Sequence, residues 1–395
     1  MSSYLELKQN EINWFKKFSK NLDVPNTFDP LMTKFKLMKE IKAETLKGLS
    51  NSVTMIWPLE ESFHGKKVNY RYQRQDFVIE GASPLEVFYP GLKSKLNVTG
   101  HFTRSGQSAT FGTALALKNW EEKFTLRFLA PQIYFETLRV FDGLKIARTA
   151  DAMTALLDSS TLEKTPLEYL KDQKIKRLVV DTTNWCINSS DIQDVINWAE
   201  KQNIELFLVR SHLKLDCLGA EYGLLGSVVK ISSEKNKEWD KFLLETLSYG
   251  GLLAVQEQLY PFLWDETFLK LTEARTERIR SNTNYITNEL GKFFKELKHP
   301  LRLKILHHGL FFGVFYQGQA DHHPEKFLRL SYMHQVPAKY CDSFGFDFLS
   351  LTNVVSYHEN IQESSLRFCS GDNTEQVAES LKLIQDYLVF FDQRT

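Results

Sequence analysis

Apolar residues change their spacing along the chain, and the changes divide it into three parts. Over the first 55 or so residues they recur at helical spacing in a background rich in Lys, Glu and Asn, as at Trp14, Phe15, Phe18 and Leu22. That pattern predicts an amphipathic arm packed on something larger. Between residues 76 and 258 short apolar runs alternate with helical stretches, as α/β units around a mainly parallel sheet do. The clearest unit reads KRLVVD, helix, IELFLVR. Arg177 to Asp181 is a short β-rich run, and Ser190 with Gln193 has the form of a capping box before Ile192, Val195, Ile196 and Ala199. Ile204 to Val209 and Gly226 to Ser232 are the next strands, and the loops at the ends of such strands are where ligands bind.

A long helix is predicted from about Tyr260 to Lys298, apolar at Leu269, Leu271, Ile279 and Ile286 and polar at Thr272, Thr276 and Asn282. Beyond it, LRLKILHHGLFFGVFYQG and SSLRFC read as strand material and Thr374 to Phe391 as a closing amphipathic helix. The expected organisation is an arm with helices (1–75), a large α/β domain (76–258) and a smaller C-terminal α+β domain (259–395), without internal repeats or a long linker.

Composition narrows the function classes. The chain has 395 residues, 43% hydrophobic and 25% charged, which fits compact folding throughout. Lys plus Arg balances Asp plus Glu at 49 each, so no overall field favours nucleic acid or an anionic membrane. Cys186, Cys217, Cys341 and Cys369 lie far apart with no C-x-x-C pair, which argues against a zinc site or a disulfide framework. The start of the chain has no apolar signal core, and no stretch approaches the roughly 20 apolar residues that span a bilayer. A cytoplasmic protein with no nucleic-acid or membrane partner is expected. Asn97-Val-Thr and Asn188-Ser-Ser match the glycosylation triplet but lack a secretory context.

The candidate chemistry begins with RSHLKLDCLGAEYGLLGSVV, where Lys214 follows an apolar strand by a few residues and Gly219, Gly223 and Gly226 punctuate what comes next. An amine there is placed either to act as a nucleophile in a dry pocket or to be solvated on a loop. Asp181 ends a buried-looking strand, where a carboxylate needs a partner or forms a turn. Ser105, Gly106 and Gln107 precede a helix, as a phosphate cradle or an ordinary N-cap. Tyr134 sits in an aromatic loop, to stack on a planar group or simply to pack. His307-His308 and His322-His323 lack metal spacing and read as surface or substrate-pocket residues.

In order and type these segments resemble the fold-type I pyridoxal 5′-phosphate (PLP) enzymes, most closely the cystathionine γ-synthase and γ-lyase group of Cys/Met metabolism, over about residues 70–385. That family carries a T-S-G-M-A-type turn, a Y-G-x-T segment, a D-N-T after a strand and an S-x-T-K with the cofactor lysine. Their counterparts are Ser105-Gly106-Gln107, Tyr134 to Thr137, Asp181-Thr182-Thr183 and Ser211 to Lys214. Tyr72-Gln73-Arg74 is similar to the Y-S-R that reaches a neighbouring subunit's phosphate. Leu366 to Gly371 resembles the R-L-S-V-G whose arginine clamps a substrate carboxylate.

The resemblance implies an aspartate aminotransferase-like fold: a mainly parallel, seven-stranded type of sheet in the large domain and a smaller C-terminal α+β domain. It implies PLP bound by Ser105, Gly106, Gln107, Tyr134, Asp181, Thr183, Ser211, Lys214, Tyr72 and Arg74, catalysis by Lys214 with Tyr134 or Tyr72 as proton shuttle, and an α-amino acid held by Arg367. The implied reaction is elimination or replacement at the γ or β carbon in a homodimer or homotetramer. An aminotransferase, or a degenerate non-catalytic protein on the same fold, are the alternatives.

Several positions depart from the family pattern. Leu213 stands where a threonine precedes the lysine, and no N-P run is present, with Asp158, Ser159 or Ser160 in its place. His212, Glu221 and Tyr222 are unusual polar neighbours of the lysine loop, there to tune a reaction or to satisfy local hydrogen bonds.

Overall fold

The structure is a computed structural model that describes residues 3–19, 30–52, 59–63, 66–70, 83–89, 92, 97–220, 222–255, 258–297, 301–315, 323–358 and 361–392. The N-terminal part forms α1 (Tyr4–Phe15), α2 (Pro30–Ser52), the hairpin strands β1 (Leu59–Phe63) and β2 (Lys66–Tyr70), and α3 (Pro84–Phe88). A reciprocal capping box of Ser3 and Glu6 starts α1, whose Ile12, Trp14 and Phe15 are buried.

A seven-stranded sheet follows. Its strands are β3 (Asn97–Thr103), β4 (Thr125–Phe128), β6 (Ala147–Arg148), β7 (Thr154–Asp158), β8 (Arg177–Asp181), β9 (Glu205–Ser211) and β10 (Gly226–Ser232), in the order β3-β10-β9-β8-β7-β4-β6. All pairings are parallel except the two made by β10. The two-residue β5 (Gln132–Ile133) joins the other large sheet instead. Helices α4 (Gly106–Trp120), α5 (Phe135–Gly143), α6 (Pro166–Leu170), α7 (Ser190–Lys201) and α8 (Lys237–Tyr249) connect the strands.

Strand alternation explains why both faces are covered. Leu178, Val180, Leu206 and Leu208 pack with Ile192, Val195 and Ile196 of α7 and with residues of the arm. Val179, Phe207 and Val209 point the other way, onto Leu117 of α4 and Leu243 and Leu247 of α8. Because β7, β8 and β9 run in parallel, Asp158, Asp181 and Ser211 end side by side along one rim.

The chain then enters α9 (Thr267–Phe293) and a mostly antiparallel sheet of β11 (Arg302–Ile305), β12 (Phe312–Phe315), β13 (Ala338–Tyr340), β14 (Leu349–His358) and β15 (Ile361–Cys369). This sheet packs with α9, α10 (Pro324–Met333) and α11 (Val377–Asp392) around Phe312, Leu351, Phe368, Ile384 and Tyr387.

Several expectations from the sequence need correction. The Ser190–Gln193 capping box does not form: Ser189 is the N-cap, and Gln193 Nε2 donates to Asn197 Oδ1 at 2.9 Å. The long helix starts at Thr267, because residues 260–265 fold into turns that put Tyr260, Phe262 and Leu263 into the core; Lys298 lies outside the described residues. The run LRLKILHHGLFFGVFYQG is two strands split by a turn in which Gly309 takes φ +66°. The closing helix begins three residues late, at Val377.

A buried ion cluster ties these parts together. Lys8 Nζ reaches Glu11, Asp347 and Asp372 at 2.9, 2.7 and 2.6 Å, and Lys34 Nζ reaches Glu11 and Asp347 at 2.7 and 2.8 Å. Arg275 and Arg278 of α9 bind Asp347, Glu11 and Asp372 at 2.9 to 3.1 Å. The three carboxylates lie within metal-ligand distance of one another, but ammonium and guanidinium groups already occupy their oxygens. Burial alone would raise the Asp347 pKa, yet Lys34, Lys8 and Arg275 hold it well below the usual carboxylate range.

Asp347→Asn should therefore cost about 3–5 kcal/mol, the scale of breaking a buried pair while leaving its cations in place. Denaturant unfolding at neutral pH measures this. A depressed native pKa contributes stability above the unfolded value of about 4, and that stability is lost as pH falls through the native value. The acid limb of the pH–stability curve should therefore be shallower in the variant than in the wild type.

Candidate functional site

The strand-end rim and the C-terminal sheet enclose a cavity of about 250 Å³. It is lined by Ser105, Gly106, Gln107, Tyr134, Asp181, Thr183, Ser211, Lys214 and Arg367, so these sequence candidates converge on one site. Tyr72 and Arg74 lie outside the described residues.

At one end, Ser105 caps α4, its Oγ accepting from Ser108 N at 3.1 Å. This leaves the first amides of the helix, at Gly106 and Gln107, without intrahelical partners. Two close approaches hold the helix start against the strand ends. A Cβ on Gly106 would lie 2.6 Å from Ser211 Cβ, and one on Gly226 would lie 2.2 Å from the Ser105 carbonyl carbon. Buried Gln107 Oε1 has no hydrogen-bond partner, while its amide nitrogen donates to Glu136 at 3.0 Å.

On the floor, Asp181 Oδ1 accepts from Thr183 N at 2.8 Å, and Thr183 Oγ1 accepts from Ser211 N at 3.0 Å. Asp158, beside Asp181 in the sheet register, accepts from Ser160 N and Oγ at 2.9 and 2.6 Å. Neither aspartate forms an ion pair among the described residues. Burial, and next the Asp158 charge, push the Asp181 pKa up to about 7; burial also raises that of Asp158. A buried carboxylate beside a half-buried one, without an ion-pair partner, calls for a proton or a cationic ligand.

Lys214 sits three residues past β9, half-buried, with Nζ donating to Ser343 Oγ at 2.7 Å and lying 5.6 Å over the Phe344 ring. Opposite, Arg367 of β15 is only 7% exposed, yet its Nε and Nη2 have no hydrogen-bond partner. Its guanidinium lies 5.1 Å over Phe311 and reaches the Tyr134 side chain. Tyr134 is the N-cap residue of α5; burial drives its hydroxyl up to about 12 against the pull of Arg367.

Sequence reasoning missed Lys304, Ser343, Phe311 and Phe344, which come from the C-terminal part. No local signal marks them, since they reach the site only through tertiary packing. Neither residue of the histidine pair 307–308 lines the cavity, and the expectation needs correction at His308, which is buried, while His307 is partly exposed. His307 pairs with Asp191 at 2.8 Å, and His308 is buried, accepting from Leu310 N at 2.9 Å. His322 lies outside the described residues. His212 and Tyr222 are buried, and Glu221 lies outside the described residues.

The arrangement provides an amine, a lining carboxylate with a second one beside it in the sheet, open amides at a helix start and an underused guanidinium across the cavity. It suits a ligand anionic at both ends and cationic in the middle.

No protein-family model matches the chain, and no curated protein matches it. Among solved structures, cystathionine gamma synthase from Xanthomonas oryzae pv. oryzae is 14% identical, with 73% of this chain and 82% of that one covered at a TM-score of 0.49. An aromatic amino acids aminotransferase from Psychrobacter sp. B6 is 14% identical, with 96% of each chain covered at 0.50. An archaeal O-phosphoseryl-tRNA(Sec) selenium transferase is 11% identical, with 97% and 95% covered at 0.50. The last two likenesses span nearly the whole chain, and the fold is that of the fold-type I PLP-dependent enzymes.

Proposed function

We propose that this chain is a PLP-dependent enzyme that eliminates or replaces a group on the γ (or β) carbon of an α-amino acid, working as a homodimer or homotetramer. The observation that carries the reading is the charge pattern of the cavity described above. Asp181 lines it without a counter-ion, with Asp158 beside it in the sheet behind the lining, and Arg367 has two unpartnered buried nitrogens across the cavity. A pyridine ring protonated at nitrogen supplies the missing cation, and a substrate carboxylate supplies the missing anion.

The residues fit that pair of ligands. The amides at Gly106 and Gln107, with Ser105 and Ser211, would hold the phosphate, because the glycine close approaches seat the helix start directly over the strand ends. Bound PLP supplies an electron sink for the pair left on the substrate's Cα. Asp181, as the carboxylate, would favour a protonated ring nitrogen, because its charge and that of Asp158 lack another counter-ion there. Lys214 Nζ takes and returns the Cα proton. Tyr134 or Tyr72 carries a proton to the departing group. Arg367 orients the α-carboxylate with its planar fork, and Phe311 and Phe344 exclude water from the reacting side.

Incubating the purified protein with PLP and borohydride should leave the reduced cofactor mass on the Lys214 peptide. Lys304 also lines the cavity, so label there would overturn the assignment. A panel of amino acids then separates the reactions. Ammonia and an oxo acid without an added acceptor mark elimination, an obligatory oxo-acid acceptor marks transamination, and no visible cofactor band marks a non-catalytic protein.

Asp181→Asn should still bind PLP but lose turnover by at least about 10²-fold, the scale of one group that stabilises developing charge. Near-normal kcat would make the aspartate a turn residue only. Arg367→Lys should raise KM about ten- to hundredfold, matching the ~1.5–3 kcal/mol of hydrogen bonds to a charged group, with the substrate-free spectrum unchanged. Lower stability with an unchanged KM would remove Arg367 from substrate binding.

A further inference from the structure

Behind the cavity, a second polar network brackets the Lys214 turn. Arg210 is 1% exposed and spends three nitrogens on its surroundings. Nε and Nη2 bind the two Asp216 oxygens at 2.7 and 2.8 Å, and Nη1 donates to the carbonyls of Thr182 and Trp185 at 2.5 and 2.7 Å. His212 Nδ1 lies 2.6 Å from Asp216 Oδ2, and its Nε2 lies 2.9 Å from Ser227 Oγ on β10. The imidazole stacks on Phe88 with centroids 4.4 Å apart and planes 10° from parallel.

Protonation follows from the partners. Burial would raise the Asp216 pKa, but the Arg210 charge and the hydrogen bonds from Arg210 and His212 hold it at about 2, so the carboxylate only accepts. Nδ1 of His212 then carries the proton, and Nε2 accepts from Ser227. The serine, histidine and aspartate have the order of a hydrolytic triad, but Ser227, His212 and Asp216 are all at most 1% exposed and no substrate reaches them.

The placement of the network is informative. Residues 210, 212 and 216 flank Lys214 on both sides, and Thr182 and Trp185 belong to the turn that directly follows Asp181. One guanidinium thus spans the two segments that carry the proposed cofactor lysine and ring-nitrogen carboxylate. A buried ion pair is a poor source of stability, since a well-packed apolar pair often does as well. What a planar, bidentate fork adds is direction.

We infer that Arg210, Asp216 and His212 are positioning residues: they form a brace that fixes Lys214 relative to Asp181, so that the amine meets the cofactor's aldehyde carbon above the ring-binding carboxylate. The inference rests on Lys214 being the cofactor lysine. Displacing a reacting atom by about 1 Å can cost about 10²-fold in rate, so a brace of this kind has a kinetic signature.

The test compares two ligands on three mild variants, Arg210→Lys, Asp216→Asn and His212→Gln. PLP reacts with the lysine; pyridoxine 5′-phosphate has the same ring and phosphate but an alcohol in place of the aldehyde. Circular dichroism confirms folding, and the rate at which borohydride-fixable cofactor appears on Lys214 is followed alongside the affinity for pyridoxine 5′-phosphate. The expected result is PLP capture slowed ten- to hundredfold per folded molecule, with pyridoxine 5′-phosphate affinity within about twofold of wild type.

Unchanged capture, or equal loss of both ligands in folded variants, would overturn the brace in favour of a purely structural network. Unfolding of all three variants would do the same. Wild-type protein that captures no PLP on Lys214 would instead overturn the functional reading beneath it.

Discussion

The structure depends on charges that have been taken out of water where the arm, the long helix and the C-terminal part meet. Lys8, Lys34, Arg275 and Arg278 can be desolvated there only because Glu11, Asp347 and Asp372 meet them at hydrogen-bond distance. Such a cluster tolerates little displacement, since moving any one group strands another. Its neighbours inherit that rigidity. Gly219, at φ +76°, lies so close that a Cβ would meet Arg275 Nη2 at 2.5 Å, and Gly345, at φ +84°, approaches the Lys214 carbonyl so that a Cβ would meet its oxygen at 2.8 Å. The backbone on both sides of the lysine turn is therefore fixed by contacts made outside the cavity.

From that fixed turn the site is assembled by two kinds of geometry. The parallel sheet aligns strand ends, which is why Asp158, Asp181 and Ser211 stand in a row. The C-terminal sheet closes the cavity from the other side with Arg367, Phe311 and Phe344, and Ser343 receives the lysine amine. Neither half alone is a site. The floor offers uncompensated negative charge and the far wall an underused cation, and the rigid frame stops either from collapsing onto a local partner.

Legibility in the sequence followed the range of the forces involved. Strands β8 and β10 were readable to the residue, because a short β-rich apolar run bounded by turns is a local signal. The N-cap at Ser105 and the strand-end position of Asp181 were readable because caps and strand ends are local too. The boundary of α9 was not: Tyr260, Phe262 and Leu263 look helical in spacing but are drawn into turns by an aromatic cluster with Trp14 and Phe15 of the arm. Strand β14 and helix α10 escaped notice for a related reason, since their apolar residues are matched by partners far along the chain. Lys304, Ser343 and the Arg210–Asp216 pair carry no short-range mark at all.

Buried charge is handled in two opposite ways in this molecule, and the contrast separates scaffold from site. In the arm cluster and around Arg210, ionised groups are matched by partners of opposite charge or by carbonyls, at 2.5 to 3.1 Å. At Asp158 and Arg367 the same desolvation is incurred without an ion-pair partner among the described residues, and the half-buried Asp181 beside Asp158 holds its proton more tightly, at a pKa of about 7. The arm cluster too leaves Arg275 Nη2 and Arg278 Nε without a hydrogen bond, but each of those guanidiniums still has a carboxylate partner, which Arg367 lacks among the described residues. The imbalance has the same sign pattern as the ligands proposed above, a cationic ring and a carboxylate, whose entry would offset the cost borne by the free protein. Complementarity of this kind is a property of the side chains and their burial, which is why it speaks to function where the shared fold alone does not.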